Sequence, residues 1–125
     1  MEKYNLVGFG CIGGDVGMSW ERVNIGSIAK IVTKGTTPTS IGYNFSEEGI
    51  PFLRVNNIQS GNLNIDDILF IDQDTDNALK RSRIQPKDVL LSIAGTIGRT
   101  AVVPTNAPVM NCNQAVAIIR LKENI

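Results

Sequence analysis

The chain has 125 residues, 42% of them hydrophobic, with 12 Lys and Arg against 12 Asp and Glu, two cysteines and no histidine. That is enough for one domain with a core of its own. The missing histidine excludes Ser-His-Asp and Cys-His catalysis and the usual imidazole metal sites, and Cys11 and Cys112 alone make neither a disulfide framework nor a CxxC-type metal site. No apolar stretch is long enough to span a bilayer and no apolar signal core follows Glu2 and Lys3, so a cytoplasmic protein with reduced thiols and no membrane partner is expected. The zero net charge hides an asymmetry: residues 1–76 hold five basic and ten acidic side chains, residues 77–125 seven and two. Such a split fits a module that turns one face toward phosphate and keeps the other away from it.

In chain order, residues 1–19 with Gly8, Gly10, Gly13, Gly14 and Gly17 read as a flexible Gly-rich leader. Trp20 to Ile25 suggests a short strand, and Gly26-Ser27 offers an N-cap for a helix over Ile28 to Lys34 that Gly35 closes in the C′ position. Thr36 to Gly49, with Pro38, Gly42 and Asn44, reads as an exposed loop, and Ile50 to Val55 as a strand with Pro51 near its start. Ser60-Gly61-Asn62 is a turn, Leu63, Ile65, Ile68, Phe70 and Ile71 are partly strand-like, and Asn77 to Arg83 is a short helix before a Gln85-Pro86-Lys87-Asp88 turn. Val89 to Ile93, Thr100 to Val103 and Ala115 to Leu121 are strands. The expected core includes Trp20, Ile25, Ile28, Val32, Phe52, Leu53, Leu90, Ile93, Val102, Ile118 and Leu121. The fold class is α+β, one strand-rich domain over residues 20–125 with short helices and no coiled-coil spacer.

Two motif-like strings fail on context. Gly8-Phe9-Gly10-Cys11-Ile12-Gly13 is a literal GxGxxG, but the Gly14-Asp15-Val16-Gly17 that follows starts a helix poorly and no βαβ unit comes after it. Asp72-Gln73-Asp74-Thr75-Asp76 imitates a calcium loop, yet its sixth position is Asn77 and its twelfth Arg83, so it reads as a solvated acidic connector with Asp76 capping the next helix. No metal or cofactor site is expected.

Val89 to Val103, VLLSIAGTIGRTAVV, flanks the loop Ala94-Gly95-Thr96-Ile97-Gly98-Arg99 with two β-branched runs; its glycines let backbone approach a partner and Arg99 supplies a positive fork. Three further segments accompany it: Trp20 to Ala29 leading to Lys34-Gly35-Thr36-Thr37-Pro38, then Gly49 to Ile58, and, after Ile84 to Gly98, Asn113-Gln114-Ala115. In this order and spacing the sequence resembles the target recognition domain of the specificity subunit of Type I restriction-modification systems, from about Trp20 to about Arg120. The resemblance implies a target-recognition-type domain that is not an enzyme. It would read one half of a bipartite double-stranded DNA target and work with a separate methyltransferase subunit and, through the complex, a restriction subunit. A full-length member carries a long helical spacer and a second recognition domain, so this sequence looks like one domain cut short or a compact relative. The chain has no Pro-Pro of the kind the methylating enzymes use to hold a target amine, so any S-adenosylmethionine is expected on the partner.

Under that resemblance the polar side chains sort by chemistry. Arg54, Arg81 and Arg99 suit guanine, and Asn56, Asn57, Asn113 and Gln114 suit adenine. Lys34, Thr36, Thr37, Lys80 and Ser92 suit phosphate, as does Arg83 beside Lys80 and Arg81, and Gly95 and Thr96 bring backbone close. Each has a plain alternative: Asn56-Asn57 as turn formers, Arg54 paired with an acidic neighbour, Asn113-Gln114 bonded to loop backbone. The rival function is a truncated interaction module that docks on the methyltransferase subunit and modulates it without reading DNA.

Overall fold

The computed structural model describes residues 5–6 and 23–123. In chain order its elements are β1 (Asn5–Leu6), β2 (Val23–Asn24), α1 (Ile25–Ile28), β3 (Ala29–Lys34), β4 (Ile50–Leu53), β5 (Ile58–Gln59), β6 (Asn62–Leu63), β7 (Leu69–Ile71), α2 (Gln73–Ala78), β8 (Val89–Ser92), β9 (Thr100–Val102), β10 (Asn111–Cys112) and β11 (Val116–Leu121). The helices are short and none of them is long and apolar enough to cross a membrane. Apart from Asn5–Leu6, which pair antiparallel with Val23–Asn24, the expected leader and its GxGxxG lie outside the described residues, as does Trp20.

An antiparallel sheet in the order β3-β11-β8-β9 organises the domain. Its centre is β11, whose Val116, Ala117, Ile118 and Ile119 are all buried because the strand is covered on both faces. Successive side chains alternate. Val116 and Ile118 therefore join Leu53, Ile58, Leu90, Val103 and Met110 in the main core, while Ile119 packs with Ile25 and Ala29 on the other face. A second sheet, β10-β4-β7, has β10 parallel to β4 and β7 antiparallel to it, and its Phe52 and Ile71 pack against Leu79 at the end of α2.

Five expectations are corrected here. The helix over Ile28 to Lys34 is instead a single turn, Ile25–Ile28, followed by strand β3, because Ile31, Val32 and Thr33 are β-branched and pair with Arg120, Ile119 and Ile118 of the buried β11. Gly35 therefore caps no helix: a Cβ there would stand 1.8 Å from the Cys112 carbonyl oxygen, so it is glycine to let two backbones touch. The helix expected from Asn77 starts at Gln73, with Asp72 as its cap accepting from the Thr75 amide (2.8 Å) and hydroxyl (2.7 Å). Asp76, read as a solvated cap, is 1% exposed and accepts from Arg83 Nε (2.7 Å) and Asn111 Nδ2 (3.1 Å). Of the expected core, Ile93 lies at the start of a loop and Val102 on the outward face of edge strand β9, both exposed. The Ser60-Gly61 turn is found as expected between β5 and β6, with both residues at positive φ (38° and 87°), as a type I′ hairpin requires.

Candidate nucleic-acid interface

The register of the main sheet sets Val116 opposite Ser92 and Ala117 opposite Lys34 at one end. The loop between β8 and β9 leaves from that end and is fastened by Ser92, which is fully buried: its hydroxyl donates to the Thr96 carbonyl (2.5 Å) and accepts from the Arg99 amide (2.8 Å). Gly95 and Gly98 turn the loop at φ 71° and 97°, with nothing near where a Cβ would sit, and Ile97 at its tip is 74% exposed. Arg99 is half-buried, and its Nη1 reaches the Val55 carbonyl at 3.4 Å. Among the described residues no carboxylate forms an ion pair with it.

That contact joins the loop to the Arg54–Asn57 turn. Asn57 is fully buried, its Oδ1 accepting from the Arg54 amide (2.9 Å) and its Nδ2 donating to the Asn64 carbonyl (2.9 Å), while Asn56 is exposed. Arg54 donates from Nη2 to the Asp67 carbonyl (2.8 Å) and lies 3.5 Å from its carboxylate, and its buried Nε has no partner among the described residues. The Asn113 amide donates to the Leu53 carbonyl (3.2 Å), and the Ile93 amide donates to the Ala115 carbonyl (2.8 Å). Asn113 Oδ1 accepts from the Ala115 amide (3.0 Å), so Asn113 shapes this segment while Gln114 stands exposed. The Thr37 hydroxyl donates to Gln114 Oε1, and Gly35 packs on the Cys112 carbonyl. Thr36 shares a groove of about 260 Å3 with Arg81 and Ile41. Lys34, Lys80 and Arg81 are exposed.

One end of the domain thus gathers Thr36, Thr37, Arg54, Asn56, Gly95, Thr96, Arg99, Asn113 and Gln114 from four separate stretches of sequence. Three expected contacts are corrected. Asn57 cannot reach a base edge and Ser92 cannot reach a phosphate, since each is fully buried with its polar atoms spent on loop backbone. Arg83 is also committed, to Asp76 and to Asn77 Oδ1 (2.5 Å). The sequence reading overlooked Asp67 as the partner of Arg54 and Ile97 as the exposed tip. The tip is signalled by its two flanking glycines, whereas nothing local marks Asp67.

A family profile described as "Type I restriction modification DNA specificity domain" matches residues 18–125. The Type I restriction enzyme EcoBI specificity subunit of Escherichia coli is 32% identical over 75 residues, which is 60% of this chain and 15% of that subunit. Among solved structures, the HsdS subunit from Thermoanaerobacter tengcongensis superposes with a TM-score of 0.60 at 21% identity, over 91% of this chain and 26% of that one. A chain from a structure described as the basis of complex assembly and conformational transition of the type I R-M system gives 0.56 at 20% identity, over 92% and 27%. The chain spans 15% of the curated relative's length and 26–27% of the length of the solved chains. Its strand-rich α+β fold is one it shares with those structures, and with the profile spanning all four converging segments, the chain belongs to the Type I restriction-modification DNA specificity domain family.

Proposed function

We propose that this chain is a sequence-specific DNA-binding module of a Type I restriction-modification system, reading one half of a bipartite double-stranded target and directing separate methyltransferase and restriction subunits. It performs no chemistry itself, and S-adenosylmethionine binds on the partner. The observation that carries the reading is the convergence of Arg99, Asn56, Gln114 and the Thr36–Thr37 pair at one end of the sheet, with buried Ser92 fastening the Arg99 loop, buried Asn57 the Asn56 turn, and Asn113 the segment of Gln114, which bonds Thr37. Fastened loops lose little freedom on binding, so their exposed polar groups are spent on recognition. Arg99, Asn56 and Gln114 are the base-edge candidates, with Lys34, Lys80 and Arg81 on phosphate.

The test is selection of preferred duplexes from a random pool by the chain assembled with its methyltransferase subunit, followed by Arg99→Ala. A base contact costs about 1–3 kcal/mol on the selected sequence and relaxes one position, whereas a phosphate contact weakens every sequence alike. These 125 residues assayed by themselves are expected to bind at roughly micromolar affinity or weaker at physiological salt, since contact with one half-site gains nothing from linkage. Selection that returns no preferred sequence would overturn the reading.

A second reading draws on the exposed Ile97, Ile41, Tyr43 and Phe45, which suit a protein surface: the chain docks on the methyltransferase subunit and modulates it without reading DNA. In that case Ile97→Asp abolishes assembly and no duplex sequence is preferred.

A further inference from the structure

The opposite end of the main sheet, where Leu121 pairs with Ala29 and Ile119 with Val89, bears a cleft of about 480 Å3 that no part of the proposed interface uses. Lys30, Lys87, Arg120 and Lys122 line it, and Glu123 is the one acidic side chain lining it among the described residues. Arg120 brings no free charge, because its guanidinium is held bidentately by the buried Asp88 (2.9 and 2.8 Å). Lys122 donates to the Ser27 carbonyl (2.9 Å), a neutral partner that leaves its charge in place. Lys30 and Lys87 form no ion pair among the described residues. The cleft is therefore cationic through three lysines.

Lys87 stands where a lysine is costly. The Asp88 amide donates to the Gln85 carbonyl (3.1 Å), closing a turn with Pro86 at its first central position and Lys87 at its second, φ +74°. This is the type II geometry whose second central residue is normally glycine or asparagine. The surroundings leave no other conformation: the Gln85 amide donates to Asp88 Oδ2 (2.8 Å) and the Lys87 amide to the Val103 carbonyl (2.8 Å). Strain held this firmly at an exposed cation points to a task for the cation.

We propose that this cleft binds backbone phosphates of DNA as a second, sequence-independent contact. The proposal rests on the DNA-binding reading above. With the Arg120 fork committed to Asp88, the remaining donors are compact ammonium groups, which bind phosphate as point charges and need no planar partner; exposed carboxylates of a protein surface would gain little from them. Strand β11 has six residues, so its ends lie about 17 Å apart. A duplex lying along the strand brings to the cleft phosphates roughly five base pairs from the bases read by the loop end, at about 3.4 Å per step.

The test uses the chain assembled with its methyltransferase subunit, the combined variant Lys30→Gln, Lys87→Gly and Lys122→Gln, and duplexes with a long or a trimmed flank. The variant is expected to bind every long duplex roughly ten- to hundredfold more weakly, with the slope of log K against log salt shallower by about 2–3 and sequence preference unchanged. Trimming the flank should bring wild type down to the variant. Lys87→Gly alone should raise Tm while weakening binding, a combination that a purely structural lysine would not give. An unchanged salt slope on DNA that wild type still reads selectively would overturn the cleft assignment. So would intact DNA binding with lost assembly, which would give the cleft to an acidic face of the methyltransferase subunit. Failure of the DNA reading itself looks different: wild type then selects no sequence, while the slope difference between wild type and variant persists on arbitrary duplex.

Discussion

Replacing Asn57 by alanine is expected to unfold the chain more readily without touching recognition directly. The carboxamide is fully buried and closes the Arg54–Asn57 turn by accepting from the Arg54 amide, while its Nδ2 ties the turn to the Asn64 carbonyl. Removing it leaves one donor and one acceptor unpaired at about 1–3 kcal/mol each, with the half-buried Arg54 and Asn64 regaining part of that from water. With the small void left behind, the loss is about 2–4 kcal/mol. In a chain of this size each kcal/mol moves Tm by roughly 3–6 °C, so a thermal melt should shift down by about 6–24 °C. Asn56→Ala, one residue earlier and exposed, should leave the melt within about 0.5 kcal/mol of wild type and act on DNA affinity instead. Under conditions where both variants are folded, an unshifted melt for Asn57→Ala together with lost base preference would refute the assignment of Asn57 to structure.

Ser92→Ala should cost about 1–3 kcal/mol and speed hydrogen exchange at the Arg99 amide, because the hydroxyl that accepts from it is the loop's fastening. Among the glycines, Gly35→Ala should be the most damaging, at about 3 kcal/mol or more by chemical denaturation, since its Cβ meets the Cys112 carbonyl; Gly95→Ala and Gly98→Ala meet open space and should cost about 1–2 kcal/mol each for positive φ alone. Burial pushes the Cys112 thiol up to about 12, so native protein at pH 8 should resist alkylation at Cys112, as read by peptide mass spectrometry, and label on denaturation. Because that folded value lies above the ordinary 9.0, the thiol's contribution to stability is present below about pH 9 and is lost as pH rises toward 12. The Thr75 hydroxyl and amide hold the Asp72 carboxyl below its ordinary 3.8, so the Tm gap between wild type and Asp72→Ala should be full above about pH 4 and close as the pH falls further.

The parts of the fold legible in the sequence are those decided locally. Val89 to Ile93 and Ala115 to Leu121 are strand-forming by composition, and each is strand to within a residue of the expected bounds. Ser60-Gly61 supplies the positive φ a two-residue hairpin needs. Ala29 to Lys34 went the other way. Ile28, Ile31 and Val32 stand at helical spacing, and only pairing with β11, far along the chain, settles the segment as strand. Strand β10, two residues long, has no periodicity to detect. At the candidate interface, residue type separates polar from apolar but not inward from outward: Asn56 and Asn57 are chemically the same in sequence, and the turn sends one to solvent and the other into the core.

The charge asymmetry shows the same limit. Seven cations against two carboxylates in residues 77–125 suggests a single basic face. Two of the seven, Arg83 and Arg120, pair with Asp76 and Asp88, both 1% exposed. An aspartate so deeply buried is tolerable only with its counter-charge in place, so those arginines belong to the fold and leave little field outside it. The five that remain do not share a side. Arg99 sits at the end where the loops of the candidate interface meet and Arg81 beside Thr36, with Lys80 exposed next to it, whereas Lys87 and Lys122 flank the cleft at the far end with Lys30. Counterion release counts cations that reach phosphate, not cations in a segment, so under the proposed DNA-binding function the salt dependence is expected to follow this surface arrangement and not the total read along the chain.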